Sequence, residues 1–173
     1  MIDTQRLKLI HRDLDHFKNI IQMPEEEQMK MLGLMDRSRF DIEIDRVHRI
    51  LKMDESTWKS WDLYLLEESK VIGSCGFHNM QLRHKRAELG YGLDAAYRKR
   101  GLMSEAISAV VDHGFAQMAL NRIEAFIAPD NTDSINLVKK LGFSFEGTLR
   151  QHHFHDGETH DSCVYSKLSE EHA

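Results

Sequence analysis

The chain has 173 residues, of which 41% are hydrophobic and 29% charged, and its formal net charge at pH 7 is −5. This length suits one domain, and an apolar fraction spread along the whole chain is typical of a folded globular protein rather than a disordered one. The acidic excess argues against broad nucleic-acid binding, which needs many cations against phosphate groups. No apolar run is long enough to span a membrane. We therefore expect a single domain over residues 1–173, without nucleic-acid or membrane partners.

Cysteine usage and the first residues of the chain indicate a reducing compartment. Cys75 and Cys163 are too few to form a disulfide framework, and both stand in alternating segments that predict small buried side chains. Residues 1–13 are charged and alternating, unlike a signal peptide. We expect a cytoplasmic protein.

The first half of the chain predicts a strand, then helices, then a group of strands. The apolar spacing changes from alternating to helical near residue 13 and returns to alternating near residue 61. The predicted elements are a strand at 5–11, a helix at 13–22, polar helical segments over 25–53, and strands at 61–66, 71–77 and 86–93. A turn at 67–70 makes the first two of these later strands a hairpin, so we expect an antiparallel meander.

The second half alternates helices with strands. Its predicted elements are a helix at 104–119, a strand at 122–128, a helix at 132–141 capped by Gly142, and strands at 143–147 and 162–168 joined by a loop that turns at Asp156 and Gly157. A strand–helix–strand unit needs a crossover and therefore a parallel pair of strands. The expected fold class is α/β (or α+β), with a mixed, mostly antiparallel sheet flanked by helices.

The segment 98–104 (RKRGLMS) is the most informative stretch for function. It follows a strand and opens an amphipathic helix, and a helix N-terminus presents unpaired N–H groups and positive partial charge that suit a phosphate group. Gly101 allows the backbone to approach a ligand closely, and three basic residues precede it. The alternative interpretation is a solvated basic turn that is capped by Ser104.

The phosphate motifs G-x-x-x-x-G-K-[ST] and G-x-G-x-x-G are both absent from the sequence, which argues against nucleotide hydrolysis and dinucleotide redox chemistry. Instead, Arg98 and Gly101 fit the motif [Q/R]-x-x-G-x-[G/A] of the GNAT acetyltransferases. Further segments resemble the RimJ/RimL-type subgroup of that family: TQRLKL at 4–9, AELGYGL at 87–93, NRIEA at 121–125, N-x-x-S at 131–134, LGF at 141–143, EGTLR at 146–150, and Asp156, Gly157, Asp161 and Tyr165. Each piece is weak alone, but the ordered set covers nearly the whole chain.

This resemblance implies a GNAT fold whose sheet is splayed near residues 90–93, with acetyl-CoA as co-substrate in the gap. A β-bulge is expected there, while close packing is the alternative explanation for Gly90 and Gly92. The backbone N–H near Leu93 would bind pantetheine or polarise the thioester carbonyl. Asn131 would bind the pantetheine arm, unless it is only a helix N-cap. The pyrophosphate would be held by Arg98, Lys99, Arg100, Gly101, Leu102, Met103 and Ser104.

Three positions depart from the family pattern. Lys99 replaces a glycine and Met103 an alanine, which is tolerable where contacts run through the backbone and the side chains point outward. Met103 inside the cleft would instead narrow it. Val138 occupies the position of the usual tyrosine acid.

The resemblance also implies catalytic residues. Ser134 matches the RimL-type serine that hydrogen-bonds the leaving thiolate, although a serine there can instead bond within its own helix. His153 is the first candidate for the general base, because histidine titrates near neutral pH. Glu88 is the second, with a surface salt bridge as the alternative, and Tyr91 is expected to form a wall of the acceptor site.

The acceptor is expected to be a primary amine, and we favour a protein N-terminus, for example that of a ribosomal protein. A small-molecule acceptor (polyamine, amino acid or antibiotic) and a non-catalytic CoA-binding module stay open, as do a monomer and a homodimer. Four histidines lie in the segment 152–160, but no cysteine or carboxylate set completes a tetrahedral site around them. We therefore expect no metal.

Overall fold

The computed structural model describes residues 1–32, 34, 37, 40–155 and 157–172, except for the side chain of His155. The strands in this part of the chain are β1 (Ile2–Asp3), β2 (Leu7–Arg12), β3 (Lys59–Leu65), β4 (Lys70–Gln81), β5 (Arg86–Leu93), β6 (Arg122–Ile127), β7 (Ser144–His155) and β8 (Glu158–Leu168). The α-helices are α1 (Leu14–Gln22), α2 (Glu25–Met31), α3 (Phe40–Ile50), α4 (Leu102–Ala116) and α5 (Thr132–Lys140). Within the same described residues, single-turn 3-10 helices lie at Glu55–Thr57, Leu82–His84, Ala95–Tyr97 and Ser169–Glu171.

The strands form one sheet in the order β1-β2-β3-β4-β5-β6-β8-β7. The predicted meander is confirmed, because each strand from β1 to β5 pairs antiparallel with its successor. The predicted parallel pair is also confirmed and consists of β5 and β6, which α4 connects. Beyond β6 the chain places β8 between β6 and β7, so β7 lies at the edge of the sheet. The result is the mixed, mostly antiparallel sheet that the sequence predicts.

Strands β5 and β6 separate soon after they meet. Their parallel ladder has only three residue pairs, from Arg86–Arg122 to Glu88–Glu124. Beyond Glu88, β5 keeps its ladder with β4, while β6 keeps its ladder with β8. In the described part of the chain the sheet is therefore splayed along residues 89–93 of β5, which confirms the predicted position of the gap.

The predicted β-bulge at residues 90–93 is wrong. The β4–β5 register runs without interruption from Glu88 to Leu93, and its irregularity lies near the other end, between His78 and Gln81. The gap arises because β6 diverges from β5, not because β5 is distorted. Gly90 packs closely, since an added Cβ would lie 3.0 Å from His78 Nδ1, whereas a Cβ on Gly92 would meet no atom within 4 Å.

Helix α4 packs against the sheet and completes the main core. Its buried positions, Ala106, Ile107 and Val110 among them, have the helical spacing predicted from the sequence. Near its C-terminal end, a Cβ on Gly114 would lie 2.7 Å from Phe77 Cζ, so this position needs a residue without a side chain. Both cysteines are buried and free, as predicted.

The last two strands are much longer than predicted. We expected strands at 143–147 and 162–168 with a loop between them, but β7 and β8 form a hairpin that extends to Phe154–Thr159 and His155–Glu158 pairs. Described residues 148–154 and 157–161 are all exposed, so no apolar alternation marks this half of the hairpin. The turn was predicted at Asp156 and Gly157. Asp156 lies outside the described residues, and Gly157 has φ +83°.

An ion pair connects β6 to the edge strand. Arg122 donates hydrogen bonds to both carboxylate oxygens of Glu146, and Ser166 Oγ donates a third at 2.6 Å. These donors hold the pKa of Glu146 at about 2, below its ordinary value of 4.5. A carboxylate whose pKa is depressed by folding contributes stability above its unfolded pKa and loses it as the pH falls.

We expect Glu146→Gln to destabilise the protein at pH 7 by about 1 kcal/mol, a small value because solvent screens a partly exposed carboxylate. Urea unfolding at several pH values measures this, and the difference from wild type should shrink as the pH falls from 4.5 towards 2. Glu158→Gln, on the exposed end of the hairpin, is the control. A Glu146→Gln deficit that does not change with pH would contradict the assignment.

Candidate active site

The segment 98–104 forms the turn into α4. Lys99 and Gly101 both adopt left-handed backbone conformations, with φ of +61° and +77°, and alternation of this kind is typical of anion-binding nests. The first backbone hydrogen bond of the helix runs from the Glu105 N–H to the Gly101 carbonyl at 3.1 Å. The N–H groups of residues 102–104 precede that bond and have no acceptor in the helix, so they can serve an anion.

Gly101, not Ser104, is the N-cap of α4, and no side chain caps this helix end. The Ser104 cap in the predicted alternative is therefore wrong, whereas the solvated basic turn itself stays an open interpretation, because Arg98, Lys99 and Arg100 are exposed. The helix also begins two residues earlier than the sequence predicts. Because the cap position is a glycine, the N-terminal N–H groups of α4 stay open toward the cleft.

The loop is fixed from outside by the segment before β2. Glu105 accepts hydrogen bonds from Thr4 Oγ1 at 2.6 Å and from the Arg6 backbone N–H and Nε at 2.8 and 2.7 Å. Arg6 Nη1 also donates to the Arg100 carbonyl at 2.9 Å. Burial raises the pKa of Glu105, but these hydrogen bonds outweigh burial and keep it below the usual glutamate value. The carboxylate in the first turn of α4 is thus neutralised, which favours an anion beside it.

Arg100 has a different environment from the rest of the loop. Its guanidinium group lies 3.3 Å from Glu67 and 3.7 Å from Glu68, both in the β3–β4 turn, and stacks over the Tyr97 ring. Its side chain does not line the cleft next to the loop. Arg100 therefore attaches the loop to the β3–β4 turn, and any contact of Arg100 with a ligand would have to come from its backbone.

A cleft of about 520 Å³ lies between the end of β5, the loop and α5, and we call it the loop cleft. It brings together nearly all the predicted ligand-binding residues, namely Leu93, Arg98, Lys99, Gly101, Leu102, Met103, Ser104 and Asn131, together with Ser134 and Tyr91. It also contains residues that the sequence reasoning missed: Gly92, Tyr97, Asp133, Asn136, Leu137 and Lys140. Asp133, Asn136, Leu137 and Lys140 recur at spacing i, i+3, i+4 and i+7 on α5 and form one stripe of that helix. The sequence reasoning considered only its apolar stripe and therefore missed them.

Met103 points into the protein. Only 8% of its surface is exposed, and it lines the loop cleft beside Leu102. The prediction that larger side chains in this loop point outward is therefore wrong for Met103, and the alternative, a narrowed cleft, matches its position.

Asn131 and Ser134 open α5 at the far wall of the loop cleft. Asn131 Oδ1 accepts a hydrogen bond from the Ser134 backbone N–H at 3.1 Å, so Asn131 is the N-cap of α5. This confirms the structural role weighed for Asn131 and leaves a ligand contact untested. The Ser134 side chain is not a cap, and its hydroxyl group faces that of Tyr91 across the cleft. Val138, one turn further on, is fully buried.

A second groove, of about 430 Å³, opens on the other side of the end of β5. It shares Gly92, Leu93 and Arg98 with the loop cleft. Its other described lining residues come from β2, β4, the segment after α2, and α3: Arg12, Leu32, Leu34, Glu43, Arg46, Val71, Ile72, Gly73, Ser74, Asp94 and Ala95. Two openings thus meet at the residues of β5 that have left β6, so two ligands can meet there from opposite sides.

Glu88 lies at the vertex of the splay. His78 Nε2 is 3.2 Å from its Oε2, and the backbone alternation of β5 puts Glu88 on the same face as Gly92. Partial burial raises the pKa of Glu88, but hydrogen bonds from His78 and Asn79 and the nearby His152 outweigh it, so the pKa lies below the usual value. The salt bridge weighed for Glu88 is confirmed, and the sequence reasoning missed His78.

His153 lies on the exposed part of the β7–β8 hairpin, opposite His160. Its neighbour His152 faces the sheet, stacks on Phe126 and bonds to Ser162 Oγ at 3.1 Å. The register of β7 shifts between Leu149 and His153, where Gln151 has φ +53°. This shift decides which histidine faces inward and has no clear signal in the sequence.

Among the described side chains, no group of three or more His, Cys, Asp or Glu has a metal-binding arrangement. The side chain of His155, one of the four histidines in the segment 152–160, lies outside the described residues. None of the described helices is both long and apolar enough to cross a membrane.

Comparison with known proteins identifies a family and several relatives. Residues 6–144 match the family described as Acetyltransferase (GNAT) domain. The uncharacterized N-acetyltransferase p20 of Bacillus licheniformis is 32% identical over 172 residues, which cover 98% of this chain and 97% of that protein. The uncharacterized N-acetyltransferase YoaA of Bacillus subtilis is 40% identical over 106 residues, but this match spans only 61% of this chain and 60% of that protein.

Two relatives whose names state an acceptor match over shorter lengths. The ribosomal-protein-serine acetyltransferase of Escherichia coli is 29% identical over 104 residues, 60% of this chain and 58% of that protein. The spermidine N(1)-acetyltransferase of the same organism is 29% identical over 85 residues, 47% of this chain and 46% of that protein. Among solved structures, a GNAT-family acetyltransferase from Bacillus anthracis superposes with a TM-score of 0.71 at 23% identity over 98% of both chains, which shows a shared fold.

We expect Arg6→Ala to weaken the binding of CoA, the ligand that the resemblance implies, by about 10-fold. Removing the guanidinium group leaves the Glu105 carboxylate less compensated beside the anion site, and one charge-assisted interaction is worth about 1.5–3 kcal/mol at most. Isothermal titration with CoA measures the effect. Gln5→Ala, at an exposed neighbouring position, is the control. Equal CoA affinities for Arg6→Ala and wild type would show that the segment before β2 does not fix the conformation of the loop.

Proposed function

The chain belongs to the GNAT acetyltransferase family, and we propose that it transfers the acetyl group of acetyl-CoA to the N-terminal amine of a protein. Acetyl-CoA supplies the activated acetyl group in this family, and the residues of the loop cleft fit it. The open N-terminus of α4 and the side chains of Arg98 and Lys99 suit its pyrophosphate. The unpaired edge of β5 at residues 89–93 suits the amide groups of its pantetheine arm.

The charge in the second groove is the observation that carries the choice of acceptor. Its described charged residues are three arginines (Arg12, Arg46 and Arg98) and two carboxylates (Glu43 and Asp94). Arg12 is paired with the buried Asp62, and Asp94 caps the Ala96 N–H at 3.1 Å. A polyamine carries several ammonium groups and needs an excess of carboxylates around it, which these residues do not supply. A protein N-terminus brings one amine and a polar backbone.

The available bases also favour an N-terminal amine. An α-amino group has a pKa of about 7.7–8.0, so roughly a tenth or more of it is neutral at pH 7, whereas a lysine amine near 10.4 is almost fully protonated. Glu88, with its lowered pKa, is a weak base, and it can remove a proton only from an amine that is already easy to deprotonate. His153 remains the other proposed base, acting through water from the exposed hairpin.

In this proposal each residue has a defined task. The backbone at Leu93 orients the thioester carbonyl at the place where the loop cleft and the second groove meet. Ser134 donates a hydrogen bond to the leaving sulfur, and Tyr91, which lines the loop cleft and not the second groove, forms a wall on the acetyl-CoA side. Glu88, paired with His78, accepts the proton of the amine through water. Direct transfer is too long, because a strand rises about 3.3 Å per residue and Glu88 therefore lies roughly 13 Å from Gly92, where the two openings meet.

A small-molecule acceptor is the second candidate, favoured by the match to the spermidine N(1)-acetyltransferase. That match spans less of the chain than the match to the ribosomal-protein-serine acetyltransferase. The N-terminal opening motif and the C-terminal motifs also resemble the RimJ/RimL-type subgroup. We place the polyamine second on these grounds and on the groove charges.

We expect thiol release from acetyl-CoA with peptides that carry a free N-terminus and little or none with spermidine, spermine or free amino acids. The measurement is a panel of these acceptors at equal concentration, followed by mass spectrometry to locate the acetyl group. N-terminally blocked copies of the same peptides, with their lysines intact, are the control. Turnover with polyamines and none with free-N-terminus peptides would reverse the assignment.

We expect the pH dependence of kcat/KM to identify the residue that acts as the general base. If Glu88 has this role, Glu88→Gln lowers kcat/KM by about 100-fold at pH 7, where the base must deprotonate the amine, and much less at pH 9, where the amine is already neutral. His153→Gln tests the second candidate in the same way, and His160→Gln, which lies opposite on β8, is its control. Parallel pH profiles for wild type, Glu88→Gln and His153→Gln would remove both residues from the mechanism.

A further inference from the structure

The hydroxyl group of Tyr91 is buried and has no hydrogen-bond partner among the described residues. Leaving a buried donor unsatisfied is unfavourable, and such groups are rare in folded proteins. The orphaned hydroxyl belongs to a residue that lines the loop cleft. An unsatisfied donor at a ligand cleft indicates a contact that is made when the cleft is filled.

The position of Tyr91 follows from the splay. It pairs with Cys75 on β4 but lies three residues beyond the last β5–β6 pair, and its side chain lines the loop cleft beside the gap that β6 has left. The group on the other side of that gap is Ser134 of α5. The two hydroxyl groups are close enough for Ser134 to affect the pKa of Tyr91, yet their geometry is not that of a hydrogen bond.

We propose that Tyr91 is a positioning residue: when the loop cleft is filled, its hydroxyl group donates a hydrogen bond to Ser134 Oγ, and the Ser134 hydroxyl group donates in turn to the sulfur of the departing CoA. The Ser134 side chain can adopt several staggered rotamers. A hydrogen bond from the Tyr91 hydroxyl group to Ser134 Oγ favours the rotamer in which the serine O–H points to the sulfur. Two hydroxyl groups in series also polarise each other, which strengthens the second bond.

The chemistry of this step balances without a proton from Tyr91. The amine nitrogen bonds to the acetyl carbon, the carbon–sulfur bond breaks, and its electron pair stays on sulfur. The amine nitrogen loses one proton to the base, and sulfur gains one from solvent after Ser134 has stabilised its charge. Burial raises the pKa of Tyr91, so the phenol keeps its proton and remains a donor throughout.

This arrangement also offers a substitute for the usual tyrosine acid of the family, whose position on α5 is occupied by Val138. At that position Val138 is fully buried and has no polar group. In this chain the phenol belongs to β5 and acts from the opposite wall of the gap, through Ser134. The inference rests on the proposed acetyl transfer but not on the identity of the acceptor.

The test uses bound CoA and needs no acceptor amine. The ultraviolet absorbance of the thiolate, followed against pH, gives the thiol pKa of CoA bound to wild type, Tyr91→Phe, Ser134→Ala and the double variant. We expect Tyr91→Phe to raise the bound thiol pKa by about 1 unit, which is a 10-fold change in the equilibrium. In the Ser134→Ala background the same substitution should have no further effect, because Tyr91 acts through Ser134.

Two controls separate this role from a structural one. Desulfo-CoA, which lacks the sulfur, should bind wild type and Tyr91→Phe equally, and Tyr165→Phe, at a buried tyrosine outside the cleft, should leave the thiol pKa unchanged. An unchanged thiol pKa in Tyr91→Phe would overturn the proposal. Additive effects of the two substitutions would do so as well, since they would mean that Tyr91 acts independently of Ser134. If the thiol pKa behaves as expected while no peptide is acetylated, only the acceptor assignment fails.

Discussion

The divergence of β6 from β5 after Glu88 is the constraint on which the site depends. A strand that leaves its neighbour inside a sheet exposes a row of N–H and C=O groups that must find other partners. Here β4 holds one edge of β5 in register up to Leu93, so the strand stays straight and the unpaired edge stays rigid. A ligand with amide groups can replace the missing strand, in the manner of strand addition. The same divergence gives access to β5 from both faces, and therefore creates two openings that share Gly92, Leu93 and Arg98.

Electrostatics divide the two openings into different environments. On the loop side, the side chains of Arg98, Lys99 and Lys140 line the cleft beside the unpaired N–H groups of α4, while the carboxylate in the first turn of that helix is neutralised by Thr4 and Arg6. This is a site for a strongly anionic ligand. On the groove side, arginines and carboxylates are mixed and partly paired with each other. Such a surface suits a polar chain with little net charge better than a polycation, which is why the acceptor proposal depends on this face.

Much of this arrangement could be predicted from the sequence, because helical and alternating periodicity survive wherever one face is buried. The bounds of β5 are those predicted, Gly142 ends α5 in a left-handed conformation with φ +82°, and the loop cleft contains the expected residues. Prediction failed where burial produces no periodic pattern of apolar residues. The outer half of β7 is exposed on both faces, so it looked like a loop. The inward turn of His152 and the pairing of Glu88 with His78 depend on the exact register of neighbouring strands, and the separate attachment of Arg100 depends on a contact 33 positions away, none of which local patterns encode.

The attachment of the loop to the segment before β2 has a consequence for folding. Thr4 and Arg6 are separated from Glu105 by about 100 positions along the chain, so their hydrogen bonds close one of the longest loops in the domain. Closing a loop of this length costs conformational entropy, and contacts of such high sequence separation slow folding. The anion site is therefore completed only when the first strands have joined the sheet, and a partly folded chain lacks it. Affinity for the cofactor thus reports how complete the fold is, and a ligand bound at this site would selectively stabilise finished molecules over folding intermediates.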